Sequence, residues 1–280
     1  MGHVRLPRLF AYPQGRSEMD EIGQYLARMR ATTPLVQNIT NYVAMNVMAN
    51  VLLACGASPA MVHAREETAE FTGFTQALTI NIGTLSASWV ESMLLSASVA
   101  ATKGTPWVLD PVAAGATTFR RATAARLVAL QPTVVRGNAS EILALAGEAG
   151  RGKGVDSADG VEAAEDAARR LAALTGGVVA VTGPVDYVTD GRRGWRIANG
   201  DAMMPRVTAL GCSLTGVVGA FIAGQPAAEA TVAALAFFGL AGEIAASTAT
   251  GPGSFQVAFL DALWQLTPET LTARARVTPA

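Results

Sequence analysis

At 280 residues, half of them hydrophobic and 15% charged, the chain has ample apolar material for a large buried core. A net charge of −1 with no basic stripe argues against a general nucleic-acid binder. Two cysteines, Cys55 and Cys212, lie far apart without metal-ligand spacing, so a disulfide framework is excluded and a reducing cytoplasm is expected.

Residues 1–16 carry Pro7, Pro13 and Gly15 and lack the apolar run of a signal peptide, so they are expected to form a disordered extension. From Ser17 a helical pattern runs to about Arg30. Short apolar runs with β-branched residues follow at Leu35–Ile39, Ala60–Val62, Leu78–Ile82, Trp107–Leu109, Thr133–Val135 and Val178–Val181. Helix-length segments separate them, at Tyr42–Cys55, Ser86–Lys103, Ala122–Leu130, Ala139–Ala146 and Val161–Leu174. Strands that alternate with helices predict an α/β fold with a central, mainly parallel sheet covered by helices on both faces. Asp190-Gly191, flanked by Tyr187–Thr189 and Trp195–Ala198, predicts a β-hairpin. The remainder reads as helices over Cys212–Ala223, Ala227–Thr248 and Phe255–Leu266. Gln225, Glu229 and Glu243 interrupt the apolar stretches there, so none is expected to reach the roughly 18 residues of a membrane span. No linker divides residues 17–280, which are expected to form one domain.

Open α/β sheets bind ligands beyond the carboxyl ends of their strands, so the residues just after each strand matter most. Asp110 ends one strand before Pro111; it suits either a turn or a Mg²⁺ site. In Arg136-Gly-Asn-Ala-Ser-Glu141, Asn138 and Glu141 have the spacing of a capping box. The same Glu141 would also face the mouth that Asp110 faces, giving a carboxylate pair for Mg²⁺ and phosphate. Arg136 is suited to polyphosphate or to a structural ion pair. Thr182-Gly183 ends the next strand with a hydroxyl and an open backbone. Gly211 leads into a small-residue helix whose first-turn N–H groups and dipole favour an anion. Cys212 sits in that first turn, where thiol pKa values fall, although buried cysteines more often act as small hydrophobes. Asn38, in Asn38-Ile-Thr-Asn41, is placed to orient a small ligand, and Met61 is placed either for ring contact or for core packing. His3 and His63 are the only histidines, which leaves little to build a Ser-His-Asp hydrolase.

Taken in order, Pro34–Asn41, Gly56–Met61, Asn81–Leu85, Leu109–Thr117, Arg136–Glu141, Gly154–Ser157, Val181–Gly183, Gly211-Cys212 and Gly251–Phe255 resemble the hydroxyethylthiazole kinase family. The likeness spans roughly Pro34 to Leu266. The resemblance implies a ribokinase-like fold and transfer of the γ-phosphoryl group of ATP to the primary alcohol of 4-methyl-5-(2-hydroxyethyl)thiazole, with Mg²⁺ required. It implies Asp110 and Glu141 in the metal network, Arg136, Thr182 and Asn138 toward ATP, Met61 and the backbone at Ala209 toward the thiazole, and Cys212 as the base. It further implies a homotrimer with the thiazole pocket near a subunit boundary. The family often reads Gly-Thr-Gly-Cys or Gly-Ala-Gly-Cys where this chain reads Ala209-Leu-Gly-Cys212, a departure that changes pocket shape. A kinase for another small alcohol such as hydroxymethylpyrimidine is one alternative, and a non-catalytic ligand-binding protein on the same scaffold is another.

Overall fold

β-branched runs bounded by turn residues become strands here, and most of them are buried on both faces. The computed structural model describes residues 21–148 and 158–280, so the expected extension over 1–16 and the Gly154–Ser157 stretch lie outside the described residues. The strands are β1 Leu35–Ile39, β2 Ser58–Ala60, β3 Ala77–Asn81, β4 Trp107–Asp110, β5 Val134–Asn138, β6 Val178–Thr182, β7 Asp186–Thr189, β8 Gly194–Ile197 and β9 Val277–Pro279. They form one sheet in the order β2-β1-β3-β4-β5-β6-β7-β8-β9. From β2 to β6 every pairing is parallel, and from β6 to β9 every pairing is antiparallel. The expected hairpin is β7–β8, with Thr189 opposite Gly194.

The helices are α1 Gly23–Thr32, α2 Met45–Cys55, α3 Thr68–Thr72, α4 Ala87–Lys103, α5 Thr118–Val128, α6 Ala139–Leu145, α7 Ala158–Thr175, α8 Leu210–Ile222, α9 Ala227–Ala246, α10 Pro252–Gln265 and α11 Pro268–Arg274. Because strand side chains alternate between faces, neighbouring residues enter different cores. Val36, Val108, Val134 and Val178 pack with α1, α2, α8, α9 and α10. Leu109 packs with α4 and α5, and Val135 and Val179 pack with α6 and α7. This is the two-sided covering that the sequence pattern predicts.

Within the larger core, α8 lies unusually close to the sheet. A Cβ placed on Gly219 of α8 would lie 2.6 Å from Thr79 Cγ2 of β3, so this helix reaches the sheet only because that residue has no side chain. The close approach brings the first turn of α8 to the carboxyl ends of the central strands. Behind it, α9 corrects an expectation about membrane-length helices. Its 20 residues have the length and apolarity of a span, and most of them are buried inside the protein. Glu229 does not interrupt it as expected, because its carboxylate is buried and paired with Arg193 Nη1 at 2.7 Å.

Candidate active site

The strand order reverses at β1, since β2 lies on one side of it and β3 on the other. Such a switch point opens a crevice at the carboxyl ends of the strands. Polar residues from the loop after β1, from β3, β4, β5 and β6, and from the start of α8 meet there.

Asp110, at the end of β4, is buried at 1% exposure. Its Oδ2 accepts from Asn81 Nδ2 at 2.7 Å and from Thr215 Oγ1 of α8 at 2.7 Å, with Arg136 Nη1 at 3.4 Å. Burial lifts the carboxyl to about 6, and the charge of Glu141 adds to the rise. Arg136, Thr215 and Asn81 oppose it. No hydrogen bond reaches Oδ1 among the described residues.

Arg136, from β5, holds the centre. Nη1 donates to Gly211 O at 3.0 Å, and Nη2 donates to Thr182 Oγ1 at 3.0 Å. Its buried Nε has no partner among the described residues. One guanidinium therefore ties the ends of β4 and β6 to the first turn of α8 and keeps one N–H in reserve. Asp186, just beyond Thr182, accepts from Gly183 N at 2.9 Å. Burial raises its carboxyl to about 6 against the pull of that hydrogen bond and of Arg136.

No side chain caps α8, which leaves its first N–H groups without a capping partner among the described residues. The residue before it, Ala209, takes a left-handed conformation at φ 65°, and its carbonyl accepts from Ser213 N at 2.8 Å. Cys212 Sγ accepts from Asn41 Nδ2 at 3.2 Å. Sequence position predicts a lowered thiol pKa at a helix N-terminus, but the surroundings reverse that direction. Burial and then the Asp110 charge push the thiol up, against Asn41, Arg136 and Asn81. Desolvation of the charged form outweighs the helix end.

Glu141 serves two structural contacts at once. Oε2 accepts from Asn138 N at 2.9 Å, and Asn138 Oδ1 accepts from Glu141 N at 3.0 Å, which completes the capping box of α6. Oε1 accepts from Ala113 N at 2.9 Å, across to the loop after Asp110. Asn138 is therefore seen as the helix cap. Met61 is half-buried against the larger core at the end of β2. Asn38 does not join the others. It is fully buried, with Nδ2 on Val36 O at 2.9 Å and Oδ1 on Thr79 Oγ1 at 2.7 Å. Strand parity turns it under α8 with Val36, and Asn41, beyond the strand end, reaches the crevice instead.

Sequence reasoning reached Asn41 only as part of the Asn38–Asn41 stretch and gave no role to Asn81, Thr215, Asp186 or Arg120. Thr215 lies one helical turn after Gly211, a spacing that would have put it on the same face. Arg120 of α5 donates to Ile82 O at 2.6 Å, Val112 O at 2.8 Å and Gly83 O at 2.6 Å, clamping the loops after β3 and β4.

Comparison with known proteins identifies the family. The model of the hydroxyethylthiazole kinase family matches residues 26–269. A hydroxyethylthiazole kinase of Cereibacter sphaeroides is 69% identical, over 94% of this chain and all of that protein. One from Rhizobium etli is 63% identical, over 91% of this chain and all of that protein. A solved hydroxyethylthiazole kinase structure from Pyrococcus horikoshii superposes with a TM-score of 0.86 at 42% identity, covering 92% of this chain and 98% of that one. The pyridoxal kinase of Staphylococcus aureus, at 14% identity and a TM-score of 0.59 over 89% of this chain and 99% of that one, shares the fold. With the family model matching residues 26–269 and relatives this similar over nearly the whole chain, the chain belongs to the hydroxyethylthiazole kinase family.

Proposed function

We propose that this protein transfers the γ-phosphoryl group of ATP to the primary alcohol of 4-methyl-5-(2-hydroxyethyl)thiazole, the salvage step that returns the thiazole to thiamine synthesis. Family membership supports the reaction. The single observation in the crevice that carries it is Arg136, a guanidinium fixed by Thr182 and the α8 turn with a buried Nε still unpaired among the described residues. Residues 17–280 act as one kinase domain, and the enzyme works in the cytoplasm as a homotrimer.

Phosphoryl transfer asks a protein mainly for positioning and charge neutralisation. Arg136 and Thr182 bind phosphate oxygens of ATP, with Asn138 beside them at the end of β5. The N–H groups of Gly211 and its neighbours receive the moving phosphoryl group. Met61, Ala209 and the Asn41 side hold the thiazole so that its hydroxyl lies near Cys212 Sγ. The thiolate takes the hydroxyl proton as the oxygen bonds phosphorus and ADP leaves.

Asp110 and Glu141 fit a hard cation that binds oxygen. They are two carboxylates near enough for one to raise the other, and Asp110 Oδ1 has no hydrogen bond among the described residues. Mg²⁺ held there would neutralise charge on the β- and γ-phosphate oxygens.

The test is a turnover screen with Mg-ATP over thiazole, pyrimidine and sugar alcohols, with nucleotide consumption measured in the absence of each. Turnover dependent on the thiazole alcohol is expected. A preference for hydroxymethylpyrimidine, or no alcohol-dependent consumption of ATP, would refute the reading.

A further inference from the structure

Two side-chain amides join the Cys212 thiol to Asp110, and two backbone N–H groups fix the direction of that chain. An amide has one donor end and one acceptor end, and its neighbours decide which faces where. Gly83 N donates to Asn81 at 2.9 Å, so that end is Oδ1. The other end, Nδ2, then faces Asp110 and donates to Oδ2 at 2.7 Å. Ala44 N donates to Asn41 at 3.0 Å, which makes that end Oδ1 as well. Asn41 is left with Nδ2 toward the crevice, donating to Asn81 Oδ1 at 2.9 Å and to Cys212 Sγ at 3.2 Å. Flipping either amide would set N–H against a backbone N–H.

Gly83 also confines the pair sterically. A Cβ there would stand 2.8 Å from Asn41 Nδ2 and 2.9 Å from Asn81 Oδ1. Both asparagines are buried, at 5% and 1% exposure. The charges facing the thiol are Asp110 from β4, which pushes it up, and Arg136 from β5, which pulls it down.

The chemical result concerns the sulfur. Given an N–H, Sγ is an acceptor at Asn41, and any S–H proton it carries must point elsewhere. A carbonyl in the same place would hold that proton on the sulfur. We propose that Asn81 is a positioning residue of the kinase: through Asn41 it keeps an N–H on Cys212 Sγ and so presents the sulfur to the substrate hydroxyl as a proton acceptor. The inference rests on the reading of Cys212 as the base.

Alkylation of Cys212 by iodoacetamide, followed against pH in the substrate-free protein, reads the sulfur without requiring catalysis. Cys55 is fully buried, and Cys212→Ala supplies the blank. In Asn81→Ala the profile is expected to move to higher pH by about one unit, the scale of a lost hydrogen bond to a charged group. Asn41→Asp, which keeps the acceptor for Ala44 N but removes the N–H, should move it further in the same direction. Gly83→Ala should follow Asn81→Ala by crowding the two amides apart. In Asn41→Asp and Asn81→Ala kcat should fall at least ~10-fold, within the range of a weakened general base, with the KM for ATP little changed. Unchanged alkylation profiles in Asn41→Asp and in whichever of the other two variants folds would overturn the inference. Full activity in Cys212→Ala would overturn the base role itself, and the alkylation data would then stand apart from it.

Discussion

At the scale of single residues, the thiol of Cys212 starts mostly protonated, because burial and Asp110 hold its pKa up. The wild-type kcat should therefore climb as pH rises from about 6 to about 9, toward the thiol range. Cys212→Asp, with an ordinary pKa of about 3.9, should run flatter over that range and stay active. Cys212→Ala should lose no more than ~10²–10⁴-fold, because positioning and charge neutralisation survive. Steady-state kcat for the three proteins across pH checks all of this. Asp186 makes a separate prediction about stability. Its carboxyl rises from 3.8 unfolded to about 6 folded, so the folded state holds that proton more tightly. The stabilisation is complete below about pH 4 and is lost as pH rises to about 6. Asp186→Asn removes that loss, so its melting temperature should gain on the wild type between about pH 4 and about pH 7. Asp110, Thr182, Gly211 and Cys212 are legible because they end strands or open a helix. Asn38 was chosen over Asn41 because two asparagines so close in sequence look alike until strand parity is known. Asn81 stayed silent because its partners lie 40 residues before it and 29 after it in sequence.

At the scale of elements, α8 begins on a strained residue. A Cβ at φ 65° is costly, and only glycine takes that region freely. Ala209→Gly should raise stability by roughly 0.5–1 kcal/mol, net of the greater freedom glycine gives the unfolded chain. Urea denaturation reads the change directly. The start of α6 gives an opposite test. Glu141→Ala strips the acceptor from Asn138 N and Ala113 N together, so it should cost about 1–3 kcal/mol. If Glu141 also serves Mg²⁺, kcat in that variant should fall at least ~10²-fold in addition. Stability loss with kcat retained would reduce it to a cap. Patterns of this kind were readable where they were strong: β1 spans the same residues as its apolar run, and Ser86 caps α4 at the expected boundary. Short elements carry too few residues for a period to emerge, as with α3, α11 and β9. Even so, Thr267-Pro268-Glu269 was a start signal for α11, with Thr267 Oγ1 accepting from Thr270 N.

For the whole molecule, α2 and α10 pack together and carry exposed apolar side chains. Leu53, Val257 and Trp264 are 56%, 64% and 70% exposed there. Exposed apolar side chains are suited to contact between copies, so Val257→Lys should shift the expected trimer toward monomer in sedimentation. A wild-type enzyme fully active as a monomer would refute the trimer. The margins of the sheet point the same way for a different reason. Its outermost strands, β2 and β9, have three residues each and contain Pro59 and Pro279. Proline offers no N–H to an incoming strand. Neither border can act as a template, so copies cannot add strand to strand into a continuous ribbon. Among the described residues both ends of the sheet are thereby guarded against strand-by-strand fibre growth, which leaves the helical surfaces as the route by which the expected trimer would close into a ring.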